Sequence, residues 1–259
     1  MTADAGSLFH ILPPPPIEAL RRPALFLDMD GVLAPLAPHP DDVVPVARRT
    51  AVLKQLIQRL DGRVAIVSGR TLSEIDRISD GAARAASGVH GLERRGADGV
   101  AVRDDADPAV KQAVAAFNDF AAERPGVVVE DKGVAAGLHY RGAPDQRHAA
   151  QALATDIADR TGLALQPGSM VLELKTPGTD KGTALTAFMA QPPFKGAVPI
   201  MVGDDLTDEH GFVAATALGG FGILVGPPRE TAARHGLADV DAVLDWLEAV
   251  AASVSETTA

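Results

Sequence analysis

Residues Leu25-Phe26-Leu27-Asp28-Met29-Asp30-Gly31-Val32-Leu33 decide how this chain folds and where its chemistry lies. An apolar run ends in two carboxylates spaced by one residue, which predicts a buried strand that releases both acids at its carboxyl end. Ligands of open α/β sheets bind at that end of the strands. Two unpaired carboxylates there are costly unless a cation or a catalytic role holds them. One of them could attack a phosphorus while the other carries a proton, with a divalent ion between them.

The Asp-x-Asp-Gly motif alone leaves other interpretations open, because it can also begin a calcium loop or form a solvated turn. A second apolar run, Val64–Val67, is followed by Ser68, Gly69 and Arg70. Ser68 could donate a hydrogen bond to a phosphoryl oxygen. Alternatively, Ser68 or Thr71 could simply cap the helix that follows. For this motif taken separately, the capping interpretation is favoured.

A third motif places a lysine at a predicted helix start. Asp180 is a plausible N-cap, so Lys181 falls in the first turn of the helix. A cation there opposes the helix dipole and is locally unfavourable. An anion bound at the same helix start would reverse the sign of that effect. The placement of Lys181 therefore indicates a functional role, although a surface lysine remains an alternative.

The fourth motif is an acidic cluster after another apolar run, Val198–Val202. Asp204 and Asp205 follow directly, and Thr207, Asp208 and Glu209 come next. So many acidic groups would repel one another unless a cation or hydrogen bonds compensate. Thr207, Asp208 and Glu209 have an alternative role as helix-capping residues. No such simple role is available to Asp204 and Asp205.

Composition bounds the possible partners. The chain has 259 residues, a net charge of −10 and no cysteine. The acidic balance argues against nucleic acids and anionic membranes as partners. An anionic substrate must then be attracted by local basic residues, namely Arg70, Lys132, Arg141, Lys175 and Lys181. No signal peptide or apolar run of transmembrane length is evident, and the absence of cysteine agrees with a cytoplasmic location, which we predict. The oligomeric state cannot be predicted from the sequence.

The order of predicted elements indicates an α/β fold, a Rossmann-like parallel sheet core with an inserted α+β cap domain. We predict the core over residues 23–101 and 176–250 and the cap over residues 102–175. A flexible N-terminal segment (1–22) and a flexible tail (251–259) would flank them. The insertion contains two helical patterns and three β-like runs and is too long for a structureless loop.

The predicted cap strands carry mixed charges at a spacing of two residues. Side chains two apart project from the same face of a strand, and such a face is often simply solvated. Near a phosphate site, carboxylates and amines together would suit a polyol, because they accept and donate hydrogen bonds to hydroxyl groups. The pairs are Glu130 with Lys132, His139 with Arg141, and Glu173 with Lys175.

The four motifs, in this order, resemble those of the haloacid dehalogenase superfamily of phosphotransferases, and the resemblance covers about residues 24–246. It implies Asp28 as the nucleophile and Asp30 as the general acid and base. Ser68 and Lys181 would hold the phosphoryl group. The resemblance also implies Mg²⁺ as cofactor, with the metal held by Asp28, Asp204 and the backbone carbonyl of Asp30. Asp205 would supply an additional carboxylate.

One branch of that superfamily, the trehalose-6-phosphate phosphatases, is similar in further motifs. These are the Gly-x-His-Gly-x-Glu turn at residues 88–93, the Glu-x-Lys and Glu-Leu-Lys runs of the cap, and Pro-x-x-x-Asp-Lys-Gly at residues 177–182. One departure is that Val32 replaces the usual threonine after Asp-x-Asp-Gly. The residues that the resemblance implies as substrate contacts are Arg70, His90, Gly91, Glu130, Lys132, Arg141 and Glu173.

The sequence thus predicts a Mg²⁺-dependent phosphatase that hydrolyses trehalose 6-phosphate through an aspartyl-phosphate. The nearest alternative is the same chemistry on another sugar phosphate, of the sucrose or glucosylglycerate type. A phosphomutase is a further alternative, and it would have to protect its intermediate from water. A non-catalytic sugar-phosphate-binding partner of a trehalose synthase is expected to have lost its acids, whereas all four motifs are intact here.

Overall fold

The computed structural model describes residues 11–17, 20–37 and 39–254. The strands are β1 (Pro23–Leu27), β2 (Val64–Val67), β3 (Ala85–Gly88), β4 (Glu93–Arg95), β5 (Ala101–Arg103), β6 (Val128–Asp131), β7 (Ala135–His139), β8 (Ala164–Gly168), β9 (Val171–Lys175), β10 (Val198–Gly203), β11 (Phe221–Val225) and β12 (His235–Leu237). The α-helices are α1 (Ala47–Arg59), α2 (Leu72–Ser79), α3 (Ala109–Ala122), α4 (Arg147–Thr161), α5 (Lys181–Met189), α6 (Glu209–Ala217) and α7 (Val240–Ser253).

The larger unit is an eight-stranded sheet in the order β12-β11-β10-β1-β2-β3-β4-β5. Its first six strands in that order are parallel, and β4 and β5 continue it as an antiparallel edge. Every residue of β1 is buried, as expected of a strand with parallel neighbours on both sides and helices on both faces. The predicted α/β fold with a parallel sheet is confirmed.

Two apolar layers cover the sheet. On one face, Leu25 and Leu27 of β1 pack with residues of α1, α2 and α7. On the other face, Phe26 packs with residues of α5 and α6. The alternation along β1 follows from the period of two in a strand, and it explains why an unbroken apolar run was needed.

The inserted unit, which we call the cap, is a four-stranded antiparallel sheet in the order β6-β7-β9-β8. Helices α3 and α4 cover one face, where Phe117, Leu138 and Leu174 lie in a common apolar cluster. We call the rest of the described chain the core. The predicted cap boundary at residue 102 falls inside β5, which pairs with β4 in the core sheet. We therefore propose that the cap extends over residues 104–175.

Parts of the two predicted end segments contact the core where the structure describes them. The backbone amide of Gly236 in β12 donates to the carbonyl of Pro13, and Leu12 packs on the core. Residues 12–14 thus lie against the edge strand β12. At the other end, α7 runs on to Ser253, into the predicted tail. Residues 1–10 and 255–259 lie outside the described part of the chain.

Within the described residues, no helix is long and apolar enough to cross a membrane.

Candidate active site

Strand register brings the predicted site residues together. Leu27 of β1 lies beside Ile66 of β2 and Val202 of β10. The residues just beyond these three positions therefore leave the sheet at the same edge. They include Asp28, Ser68 and Asp204, and all three line a cavity of about 160 Å³ between the core and the cap.

Lys181 occupies the centre of the site floor. It is the first residue of α5, whose N-cap Asp180 accepts a hydrogen bond from the Thr183 amide. Its ammonium group donates to Asp28 Oδ2 at 2.6 Å and to Asp208 Oδ1 at 2.7 Å. Burial opposes the charge of Lys181, but the carboxylates of Asp208 and Asp28 raise its pKa above the usual value. The unfavourable position at the helix start is thus compensated by two anions from the protein itself.

Asp28 and Asp204 lie close to other carboxylates and away from solvent, an environment that a cation would stabilise. Burial raises the pKa of Asp28 to about 7, with Lys181 opposing and the charges of Asp208 and Asp30 reinforcing the shift. Burial and the negative charges of Asp28 and Asp208 raise the pKa of Asp204 to about 8. One carboxylate oxygen from each of Asp28, Asp204 and Asp208 lies within 4.8 Å of the others. A buried set of oxygen donors that repel one another suits a hard divalent ion such as Mg²⁺.

Among the described residues, the three-carboxylate cluster includes Asp208 and not Asp205. Asp205 Oδ1 caps the turn at 206–208 by accepting from the Leu206 amide, and the residue also lines the cavity. Asp208, which sequence reasoning treated as a helix cap, takes the third place in the cluster instead. Asp208 Oδ2 accepts from the amides of both Asp204 and Asp205 at 3.0 Å. Since its other oxygen accepts from Lys181, Asp208 chiefly orients the loop and the lysine.

Asp30 has a different partner from Asp28. The guanidinium of Arg70 makes a bidentate contact with it, Nε to Oδ2 and Nη2 to Oδ1, both at 2.8 Å. Arg70 also donates to the Pro40 carbonyl and to Glu74. Glu74 belongs to the capping box that Thr71 forms at the start of α2. Arg70, predicted as a substrate contact, lines the cavity but holds Asp30 in place.

Ser68 and His90 lie on neighbouring loops at the sheet edge. Ser68 is buried, and its carbonyl accepts a hydrogen bond from the His90 amide at 3.1 Å. The ring of His90 packs directly over Gly69, where a β-carbon would lie 2.6 Å from Nε2. Burial, together with Lys181, Lys132 and Lys175, lowers the pKa of His90 well below its usual value. His90 therefore stays neutral beside the site.

The cap contributes a polar group above this floor. Lys132 Nζ donates to Glu173 Oε2 at 2.5 Å and to the Gly69 carbonyl at 2.9 Å. Burial opposes the charge on Lys132, but Glu173 and Glu130 raise its pKa. His139 contacts Glu130 at 2.8 Å. The second oxygen of Glu173 is buried without a hydrogen-bond partner among the described residues, with His90 Nε2 3.7 Å away, so it can accept a hydrogen bond in the cavity wall.

Two predicted substrate contacts, Gly91 and Arg141, contact other parts of the protein in this structure. Gly91, in a left-handed turn (φ +107°), packs against Thr179 and Asp180 and is not part of the cavity lining. Arg141 lines the cavity, but its guanidinium donates to the carbonyl of Ala37 in the core and to that of Ser169 in the cap. Gly91 therefore shapes the turn, and Arg141 links the cap to the core.

A mainly parallel sheet with an inserted cap, three acidic and hydroxyl motifs after its strands and a lysine at a helix start form the arrangement that the resemblance to the haloacid dehalogenase phosphotransferases predicts. The family model of Trehalose-phosphatase matches residues 26–241, so the chain belongs to the trehalose-phosphatase family.

Relatives and solved structures agree with this membership. The trehalose-6-phosphate phosphatase of Escherichia coli (strain K12) is 38% identical over 241 residues, covering 92% of this chain and 90% of that protein. A probable trehalose-phosphate phosphatase of Sinorhizobium fredii (strain NBRC 101917 / NGR234) is 41% identical, covering 79% and 78%. A solved trehalose-6-phosphate phosphatase related protein superposes with a TM-score of 0.72 at 26% identity, covering 88% and 96%. The C-terminal domain of C. albicans trehalose-6-phosphate phosphatase, at 22% identity and a TM-score of 0.82 over 94% of this chain and all of that one, shows the shared fold.

Proposed function

We propose that this enzyme hydrolyses trehalose 6-phosphate to trehalose and phosphate through a covalent intermediate on Asp28. The observation that carries the proposal is the buried Asp28–Lys181 pair, which faces a cap lined with Glu130, Lys132 and Glu173. The pair suits an attack on phosphorus, and the cap groups suit sugar hydroxyls. Named relatives of high coverage support the choice of substrate.

The first step forms a bond between an Asp28 oxygen and phosphorus and breaks the bond from phosphorus to the sugar oxygen. Asp30 gives its proton to the departing sugar oxygen, which leaves as a hydroxyl, because an alkoxide is a poor leaving group. In the second step Asp30 takes a proton from water as the water oxygen attacks phosphorus. Phosphate then leaves, and the Asp28 carboxylate is restored. Arg70 binds both oxygens of Asp30 and favours its charged form, so one of the two bonds has to open when Asp30 carries the proton.

The charge that shifts during both steps needs fixed positive groups and donors. Lys181 and the Ser68 hydroxyl would hold the phosphoryl oxygens from the core side. Asp28, Asp204 and the backbone carbonyl of Asp30 would hold Mg²⁺. When bound, Mg²⁺ supplies positive charge that stabilises the phosphoryl oxygens.

The cap would select the sugar. Glu173 offers a buried acceptor, Lys132 a donor, and Glu130 a carboxylate fixed by His139. Burial opposes the charge of Glu130, but the His139 contact and Lys132 lower its pKa, so the group stays a strong acceptor. These three groups match the donors and acceptors of a polyol.

Phosphate release from a panel of sugar phosphates tests this proposal. The panel should include trehalose 6-phosphate, sucrose 6-phosphate, a glucosylglycerate phosphate and glucose 6-phosphate, each with Mg²⁺ and with excess chelator. We expect the highest kcat/KM for trehalose 6-phosphate and loss of activity with chelator. A higher kcat/KM for another sugar phosphate would overturn the substrate, and full activity in chelator would overturn the metal requirement.

A further inference from the structure

An arginine from outside the four motifs contacts the backbone of the acidic loop. Arg229 lies in the loop between β11 and β12, and its Nη2 donates to the carbonyls of Asp205 at 2.9 Å and Asp204 at 3.4 Å. Its Nη1 contacts the carboxylate of Glu209, the first residue of α6. Side chains of both Arg229 and Glu209 are 23% exposed. The guanidinium is therefore largely enclosed and oriented by a fixed carboxylate.

Arg229 and Asp208 bind the backbone of the same two residues, Asp204 and Asp205, through groups of opposite charge. Asp208 accepts from the amides of Asp204 and Asp205, while Arg229 donates to their carbonyls. A backbone segment whose donors and acceptors are both bound to fixed charged groups has little freedom to rotate. The loop that carries the Asp204 carboxylate is thus clamped on both sides.

The Asp204 carboxylate has little tolerance for such rotation. It lies against the α-carbon of Gly31, where a β-carbon would be 2.1 Å from Asp204 Oδ2. Gly31 adopts φ +74° and follows directly after Asp30. A small turn of the Asp204 backbone would therefore either press the carboxylate into Gly31 or move it away from Asp28.

We propose that Arg229 is a positioning residue that sets the orientation of Asp204 for divalent cation binding. The inference rests on the proposed function, since it takes Asp204 as a metal ligand. Removal of a group that orients a metal ligand typically lowers metal affinity by about 10–100-fold. Arg229 would act in this way without touching the metal or the substrate.

A purely local role is the competing explanation, because Glu209 also binds the rest of the Arg229 loop. Its Oε1 accepts from the Thr231 hydroxyl and its Oε2 from the Ala232 amide, both at 2.8 Å. Thr231 also accepts from the Ala233 amide. Thr231→Val removes the two contacts of the Thr231 hydroxyl and leaves the contacts of Arg229 with the Asp204 and Asp205 carbonyls in place. It is therefore the matched control.

Binding of Mn²⁺, measured by electron paramagnetic resonance on the full chain without substrate, tests the proposal. Arg229→Met keeps the side-chain stem and removes the donors, and we expect Mn²⁺ affinity roughly 10–100-fold below wild type. Thr231→Val should bind Mn²⁺ as wild type does. The rise in melting temperature caused by Mg²⁺ should shrink in Arg229→Met and persist in the control.

The outcomes separate this inference from the metal site itself. Equal Mn²⁺ affinity in wild type and Arg229→Met, or an equal loss in Thr231→Val, would overturn the role of Arg229. Absence of Mn²⁺ binding to the wild-type chain would overturn the metal requirement of the proposed function and this inference with it. If Arg229→Met does not fold, Arg229→Lys replaces it. An ammonium cannot bind Glu209 and both carbonyls as the guanidinium fork does, so several-fold weaker Mn²⁺ binding is expected and wild-type affinity would refute the role.

Discussion

Asp28 and Asp30, which are separated by one residue, lie in different surroundings. This difference gives each of them a different chemical role. Asp28 is buried and accepts a hydrogen bond from Lys181. Asp30 is partly exposed and is held by Arg70, whose fork occupies both of its oxygens. A buried carboxylate beside a lysine is placed for attack on an anion. A carboxylate at the cavity wall is placed to exchange protons with the leaving group and water.

Asp30→Asn should slow hydrolysis of trehalose 6-phosphate much more than hydrolysis of an aryl phosphate. The sugar oxygen needs a proton as it leaves phosphorus, whereas an aryl oxide leaves readily without one. General acid catalysis typically contributes about 10²–10⁴-fold, and we expect a loss in that range for the sugar phosphate alone. Single-turnover rates with both substrates measure the effect. Equal losses on both would show that Asp30 acts on binding or folding instead.

His90 should make the folded state sensitive to acid. Burial first, and then the nearby lysines, lower its pKa well below 6.5, so His90 is neutral in the folded protein and charged in the unfolded chain at acidic pH. At this residue the unfolded chain binds the additional proton, so the contribution of His90 to the free energy of unfolding decreases as pH falls through about 6.5. His90→Asn, which tolerates the left-handed backbone there, should lose roughly 1 kcal/mol less than wild type between pH 7.5 and 5.5. Urea unfolding at both pH values measures this, and identical losses would contradict it.

At the scale of secondary-structure elements, the sequence predicts strand ends and helix starts, because these depend on local residue patterns. Apolar runs ending in polar motifs placed Asp28, Ser68 and Asp204 at one sheet edge, and the Thr71 and Asp180 caps begin α2 and α5 as expected. Strand β8 was not predicted, because its Ala-Leu-Gln-Pro-Gly sequence contains a proline, which an edge strand tolerates.

Contacts between residues far apart in the sequence could not be predicted from local residue patterns. Asp205 and Asp208 differ by three positions in one motif, and only the turn at 206–208 decides which of them faces Lys181. The Arg70 contact to Asp30 spans 40 residues, and Arg229 reaches the acidic loop from outside any motif. Such pairings depend on tertiary packing and leave no periodic signal in the sequence.

We expect side chains of strand β9 and of the β6–β7 turn to bind the sugar hydroxyls. Glu173→Gln tests this with little change in the shape of the side chain. We expect kcat/KM for trehalose 6-phosphate to fall by about one to two orders of magnitude, because a buried group left without its partner costs roughly 1–3 kcal/mol. An aryl phosphate, which has no sugar hydroxyls, should lose much less. Steady-state kinetics with both substrates give the comparison.

The matched control is Asp156→Asn in α4 of the same cap, where Asp156 and Arg160 form an exposed pair. Surface substitutions of this kind usually change stability by less than about 0.5 kcal/mol, so both substrates should keep wild-type values. An equal loss on both substrates in Glu173→Gln would assign Glu173 to closure or folding, against our assignment.

At the scale of the whole molecule, the cap contacts the core directly through polar groups of the protein, without a bound substrate between them. Lys132 reaches the Gly69 carbonyl, and Arg141 reaches the Ala37 carbonyl. Closure of this kind excludes water and completes a site built from two units. Contacts that serve closure should influence every substrate in the same way.

Arg141→Ala should lower kcat/KM for trehalose 6-phosphate and for an aryl phosphate by a similar factor. Loss of a hydrogen bond worth about 0.5–1.5 kcal/mol corresponds to roughly 2–10-fold. Steady-state kinetics on both substrates measure the ratio, which should stay at its wild-type value. A loss confined to trehalose 6-phosphate would instead make Arg141 a sugar contact, as the sequence predicted.

The most direct test of the account is to locate the phosphoryl group during turnover. Wild-type enzyme mixed with Mg²⁺ and trehalose 6-phosphate labelled with radioactive phosphorus is quenched in acid at short times, digested and mapped by mass spectrometry. We predict a hydroxylamine-sensitive acyl phosphate on the peptide that contains Asp28, and neither label nor turnover in a folded Asp28→Asn variant. Rapid turnover without enzyme-bound label, a label on another residue, or near wild-type rates in Asp28→Asn would contradict the assignment of Asp28 as nucleophile.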